Sequence, residues 1–259
     1  MPPENHGHLI WALARHDFYS QYLDSLLGFI WALIKPLALV SCYALVFSSV
    51  MPQSGGSPLT RLNYGFYIFA GMLPWFVVQE SLQRGTNVFL DHHTLVRHHV
   101  IPLYFFPLHI ILSATVSGLM AIVVFMLLKG VIYQHFTWHF LAIFLILPVQ
   151  IIFCLGFTLI TSTITVFIRD IYHLTTTFLY IGLFASPILF PLETIPQNFR
   201  KWIWFNPITG LTVIYRDLIL FGQFPSFNTL LHFFAFSILS ITIGVLLYRR
   251  TSKFIVDWV

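Results

Sequence analysis

Charge is what this sequence has least of. Asp, Glu, Lys and Arg make up 8% of its 259 residues, against about 25% in an ordinary soluble domain. From Gly130 to Ile168 there is none at all. A run of about 20 apolar residues spans the hydrocarbon of a bilayer. Lipid offers no partner to backbone N–H and C=O groups, so such a run must be helical or closed in a barrel. A water-soluble core is thereby excluded, and the chain is read as an integral membrane protein. Its length leaves no space beside the spans for a soluble catalytic domain, which needs about 100 residues.

Other shortages narrow the chemistry. There are two cysteines, Cys42 and Cys154, both inside apolar runs, which excludes a disulfide framework or a Cys-based metal set. No Gly-Lys pair exists, so the phosphate-cradling Gly-x-x-x-x-Gly-Lys-Ser/Thr loop is missing. Any ATP-driven step therefore belongs to a partner. No carboxylate dyad, Ser-His-Asp set or Cys-His set is legible, nor any internal repeat or low-complexity segment. Met1–His8 is polar, and no small-residue cleavage pattern follows the first apolar segment, so no cleavable leader is expected. The formal charge of +4 is read as headgroup contact and loop orientation rather than nucleic-acid binding.

What is present is a series of apolar segments in a predicted all-α integral membrane fold. His8–Leu27 reads as an amphipathic interface helix: Trp11, Phe18, Tyr19, Tyr22, Leu23 and Leu26 gather on one side, Asp17, Ser20, Gln21 and Asp24 on the other. Arg15 falls among the aromatics, its stem on apolar surface and its head toward phosphate. Six transmembrane helices are predicted, at about Phe29–Met51, Asn63–Gln83, Pro102–Leu128, Phe140–Ile168, Ile171–Leu189 and Thr229–Tyr248. Between the second and third lies the most polar internal segment, Gln83–His99. Pro187, Pro191, Pro196 and Pro207, with Trp202, Trp204 and Phe205 beside Arg200 and Lys201, suggest short half-helices dipping into the interface. Six spans place both termini on one side, together with Arg15, Lys35, Arg84, Arg97, Arg169, Arg249, Arg250 and Lys253. Arg61, Lys129, Arg200, Lys201 and Arg216 fall on the other. That bias favours cytoplasmic termini.

The histidine pairs His92-His93 and His98-His99, beside Asp91, raise the question of metal. Adjacent histidines point to different faces of a helix and do not converge as ligands, so a metal site is not expected. Arg169-Asp170 reads as a cytoplasmic turn at a helix end. Arg216-Asp217 is expected near an exit path.

Four strings, in order along nearly the whole chain, carry a family resemblance. They are Leu27-Gly28-Phe29-Ile30-Trp31 with Lys35-Pro36-Leu37; Arg169-Asp170-Ile171; Ser186-Pro187-Ile188-Leu189-Phe190-Pro191 with Ile195-Pro196; and Phe205-Asn206-Pro207-Ile208-Thr209-Gly210 with Tyr215-Arg216. The chain resembles the type-2 ABC export permeases, especially those that export lipid-linked polysaccharide. The resemblance implies one permease domain over residues 1–259, working as a homodimer in the cytoplasmic (inner) membrane. A separate nucleotide-binding ATPase would hold ATP and Mg. Residues 8–27, with Trp11, Arg15, Phe18 and Tyr22, would form a gate helix. Residues 84–99, with Asp91, His92, His93, Leu95, Val96 and Arg97, would be the coupling helix that docks into the ATPase. Residues 193–217, with Arg200, Asn206, Arg216 and Asp217, would be re-entrant outer helices. The coupling segment is richer in His, and poorer in Lys and Arg, than the resemblance leads one to expect.

The aromatic load, 28 Phe, 11 Tyr and 7 Trp, suits a conduit for glycan. Sugar C–H faces stack on rings, and hydroxyls bond to Tyr or Trp polar groups. Trp31, Tyr43, Trp75 and Tyr180 are the candidate lining residues. The expected function is therefore a channel-forming permease subunit, without catalytic residues or a cofactor of its own, for a lipid-linked polymer such as O-antigen, capsule or a teichoic-acid-like chain. An ABC permease for a drug or small lipid is the alternative. A His-dependent membrane enzyme is the rival from another class, disfavoured by the scarcity of carboxylates in the spans.

Overall fold

A computed structural model describes residues 6–23, 30–50, 61–97, 102–134 and 138–259. The all-helical expectation holds among the described residues. The elements are α1 (His6–Leu23), α2 (Trp31–Val50), α3 (Arg61–Gly85), α4 (Val88–Asp91), α5 (His93–Arg97), α6 (Phe105–Tyr133), α7 (Ile143–Phe167), α8 (Ile171–Ala185), α9 (Gln197–Ile203), α10 (Pro207–Tyr215) and α11 (Phe227–Trp258). A 3-10 turn, Trp138–Ala142, leads into α7, and a π-helical turn, Arg216–Phe221, follows α10.

Among the described residues, three helical stretches are long and apolar enough to cross a membrane: Phe105–Tyr133, Trp138–Phe167 and Phe227–Val256. The helices differ in detail from the expected spans. The fifth ends at Ala185 rather than Leu189, giving α8 only 15 residues, or about 22 Å of helix. Pro187 explains the stop, because the residue before a proline is pushed out of the helical region, and Ser186 is extended at ψ 150°. The sixth runs on past Tyr248 to Trp258, making α11 a single helix of 32 residues. The first two expected spans correspond to α2 and α3.

The core lies where α3, α6, α7 and the α10 region meet. Tyr64, Phe69, Leu73, Ile111, Phe125, Phe153, Ile188, Leu211 and Tyr215 are all buried there. Burying a large apolar side chain is worth about 1.5–3 kcal/mol in water. Within lipid, close fit and hydrogen bonds between helices take over that role. Both are prominent here. Gly156 of α7 faces Ser240 and Ile241 of α11, and a Cβ at Gly244 would lie 2.5 Å from the Gly156 carbonyl oxygen. Only glycine lets these two backbones approach so closely, and Ser240 Oγ adds a bond to Phe153 O at 3.3 Å. In the core centre Tyr215 Oη donates to Gln150 Oε1 (2.6 Å), and Gln150 Nε2 donates to Pro74 O (3.1 Å). That chain ties α10, α7 and α3 together.

A second, smaller core sits at the other end of α6 and α7. It joins Val88 and Phe89 of α4, Val96 of α5, Phe106 and Ile110 of α6, Val166 of α7 and Ile255 near the end of α11.

Candidate functional site

The polar segment between α3 and α6 folds as two short helices broken at His92, not as the one helix expected over 84–99. Val96 is 0% exposed and belongs to the small core, whereas Leu95 is 38% exposed and Asp91, His93, Thr94 and Arg97 face outward. His92 turns back instead: its Nδ1 lies 3.0 Å from Val88 O, and its ring sits 5.4 Å from Phe106 and 5.6 Å from His109. Arg97 Nη2 donates to Val259 O at 3.0 Å. The Asp91 carboxyl is pushed above the ordinary carboxylate value by partial desolvation, with His92 and Arg84 pulling it back down. His98 and His99 lie outside the described residues. Among the described residues no three His, Cys, Asp or Glu side chains gather as a metal set. The outward face is thus small, mixed in charge and carried on a packed base.

α1 reaches this region through an ion pair that sequence spacing does not reveal. Arg84 Nη2 lies 2.6 Å from both carboxylate oxygens of Asp17, and Nη1 lies 3.1 Å from Glu80 Oε1. The inward edge of α1 is Ala14, Asp17 and Phe18. Trp11 and Tyr19 are exposed, and the Arg15 guanidinium sits 5.6 Å from the Tyr19 ring. This differs from the expected segregation, in which the aromatics shared one side and Asp17 the other. With its carboxylate held by Arg84, Asp17 can face protein. Tyr22 is carried on α1, its side chain outside the described set. The available signal was rarity: in a chain with nine acidic residues, each one near a helix end invites a partner.

At the opposite end, the residues expected in the re-entrant segment hold backbone. The turn after α8 leaves the Pro187, Ile188 and Leu189 carbonyls without helical partners, and Ile188 and Leu189 are buried. Buried carbonyls must find donors. Arg216, 3% exposed, supplies two: Nη1 to Pro187 O and Nη2 to Ile188 O, each 2.6 Å. Its Nε donates to Tyr67 O at 3.2 Å, and its Cζ lies 3.5 Å from the Tyr67 ring centroid. Tyr64 Oη donates to Leu189 O at 2.5 Å. A Cβ at Gly71 would fall 2.6 Å from Arg216 Nη2, so glycine leaves the guanidinium its place.

The neighbouring residues follow the same logic. Asn206 caps α10, accepting from Ile208 N at 3.0 Å, and donates to Ser186 Oγ at 2.7 Å. Arg200 donates to Ile195 O (2.9 Å) and Glu193 O (2.7 Å). Asp217 Oδ1 accepts from Gln223 Nε2 at 2.9 Å. Lys129, expected only as a loop charge, is buried and donates to Ile219 O (2.6 Å) and Leu220 O (3.1 Å) of the π-helical turn. Residues 186–217 are therefore a clamped assembly of α9, α10 and the turn after α8.

The four aromatics singled out for a conduit do not form one cluster. Trp31 and Tyr180 are exposed on α2 and α8, Tyr180 at 59%. Tyr43 packs half-buried against the core. Trp75 is 3% exposed, and its indole nitrogen has no hydrogen-bond partner among the described residues.

Comparison with known proteins agrees with this architecture. The sequence profile of the ABC-2 type transporter matches residues 8–220. The chain is 27% identical over 249 residues to the O-antigen export system permease protein RfbA of Myxococcus xanthus, covering 95% of this chain and 91% of that one. A Klebsiella pneumoniae protein of the same name is 26% identical over 217 residues, covering 83% and 81%. The polysialic acid transport protein KpsM of Escherichia coli is 21% identical over 247 residues, covering 93% of each. With a family profile running from α1 to the π-helical turn, the chain belongs to the ABC-2 type transporter family, as a membrane transport subunit.

Proposed function

We propose that this chain is the permease half of an ATP-driven exporter of lipid-linked polysaccharide. The observation that carries the reading is the outward face of α4 and α5, seated on its own small core beneath three apolar helices. It offers a partner a defined, rigid surface in a chain that has no phosphate-cradling loop of its own. ATP and Mg would bind to that partner. The names of the relatives supply the substrate class: O-antigen export and polysialic acid transport. Both are glycan polymers, and an aromatic-rich permease suits them.

In this reading α2, α3 and α8 complete six spans in the cytoplasmic membrane, with both termini cytoplasmic. One copy packs as a bundle. Two copies about a shared axis would enclose a conduit, with exposed Trp31 and Tyr180 and half-buried Tyr43 as its aromatic surface. Trp75 would reach such a conduit only after α3 and its neighbours separate. α1 would act as a gate helix hinged at Asp17–Arg84, and the clamped α9–α10 assembly would be the outer closure.

Export itself is the test. Deleting the gene should remove the glycan from the cell surface and leave lipid-linked glycan inside, and Leu95→Asp should reproduce that loss. Unchanged surface glycan after deletion would overturn the assignment.

A further inference from the structure

Apolar patterning alone ends the last span at Tyr248, with a basic tail beyond it. The structure continues the helix. α11 is 32 residues long, about 48 Å at 1.5 Å per residue, against a hydrocarbon thickness of about 30 Å. Its surplus is not idle surface. Ile255 is 0% exposed, buried with Val88 and Phe89 of α4 and Val96 of α5. Trp258 meets Phe167 at the end of α7, ring centroids 5.7 Å apart. The main chain at Val259 accepts the Arg97 hydrogen bond.

The same helix reaches the outer assembly. His232 donates from Nε2 to the Trp204 carbonyl, at the end of α9, and its ring lies 5.2 Å from that of Trp204. A Cβ on Gly210 of α10 would sit 2.8 Å from His232 Nδ1. Between these ends α11 lies on α7 through the Gly156–Gly244 approach, with no intervening side chain to yield. One unbroken helix therefore touches both the face offered to the ATPase and the outer clamp. α3 also runs between the two ends, from Tyr64 and Tyr67 at the clamp to Gly85, two residues before α4 begins after Asn87; α11 adds the seat against α5 and the bond to the end of α9.

We propose that α11 is a transmission element between the two ends of the permease: Ile255 seats it in the coupling segment, and His232 fastens it to the re-entrant helices. Ile255 and His232 are positioning residues, acting through α4–α5 and α9 respectively. The proposal rests on the coupling role of α4 and α5. The test reads coupling directly.

Cys42 and Cys154 are first replaced by Ser, and Ile203→Cys is introduced at the half-buried end of α9. The full chain is purified with its ATPase in nanodiscs. Maleimide labelling of that thiol is timed with and without a non-hydrolysable ATP analogue. The labelling rate should change several-fold with nucleotide. Ile255→Ala and, separately, His232→Ala should abolish the change while the ATPase still co-purifies, and Ile255→Val should preserve it. A nucleotide response that survives in both Ala variants, or a parent without any response, overturns the proposal. Failure of the ATPase to bind even the parent chain would instead remove the coupling reading, and the proposal with it.

Discussion

The charged residues of this protein are few, and the structure gives several of them specific bonds. Arg216 is the clearest. A guanidinium has five N–H donors in a rigid fork, and three of its bonds here go to carbonyls on two separate segments. Removing it strands buried acceptors, at about 1–3 kcal/mol for each. Arg216→Met should therefore lower the melting temperature of the solubilised protein markedly. Arg216→Lys should recover only part of the loss, because an ammonium cannot reproduce the fork. An unchanged melting temperature for Arg216→Met would mean that the clamp is dispensable. Asp17–Arg84 is a different case. It is only partly buried, with side-chain exposures of 18% and 29%, so the pair should contribute about 1 kcal/mol. Asp17→Asn and Arg84→Gln should each weaken the attachment of α1, and the double variant should cost less than their sum. Strict additivity in limited-proteolysis rates of α1 would deny the link.

At the scale of elements, α4 and α5 separate surface from support. Leu95→Ala removes an exposed side chain and should leave stability within about 0.5 kcal/mol while weakening ATPase binding. Val96→Ala opens a cavity in the small core and should cost about 2 kcal/mol. Thermal melts beside a binding titration tell the two apart, and equal effects from both would contradict this division. Sequence patterning made the long helices legible, because an apolar run needs no partner to be recognised. It also located the polar segment between α3 and α6 and the proline-rich one after α8. The interruption at His92 was not legible, since a break of one residue leaves no periodic trace. Nor were the roles of Arg216, Lys129 and Asp17, whose partners lie 28 to 149, 90 to 91 and 67 residues away. The end of α11 was misread for a related reason. Arg249, Arg250 and Lys253 resemble a snorkelling terminus, and the buried Ile255 among them has no helical repeat long enough to declare its face.

The whole molecule has two clamped ends and a bundle between them. If the six-span arrangement holds, Thr94→Cys in α5 and Lys201→Cys in α9, both exposed, should label from opposite sides of sealed vesicles. Labelling from one side would require an odd rearrangement of the spans and would break the account of an inner coupling face and an outer closure. A separate ATPase seated on α4 and α5 is proposed to drive this transport subunit. The most direct measurement is purification of the tagged chain from native membranes in mild detergent, with an ATPase assay of what accompanies it. A stoichiometric nucleotide-binding subunit with ATPase activity should accompany the parent chain and be lost from a Leu95→Asp variant that still folds. A chain that purifies alone, or one whose ATPase partner is indifferent to Leu95→Asp, would contradict it.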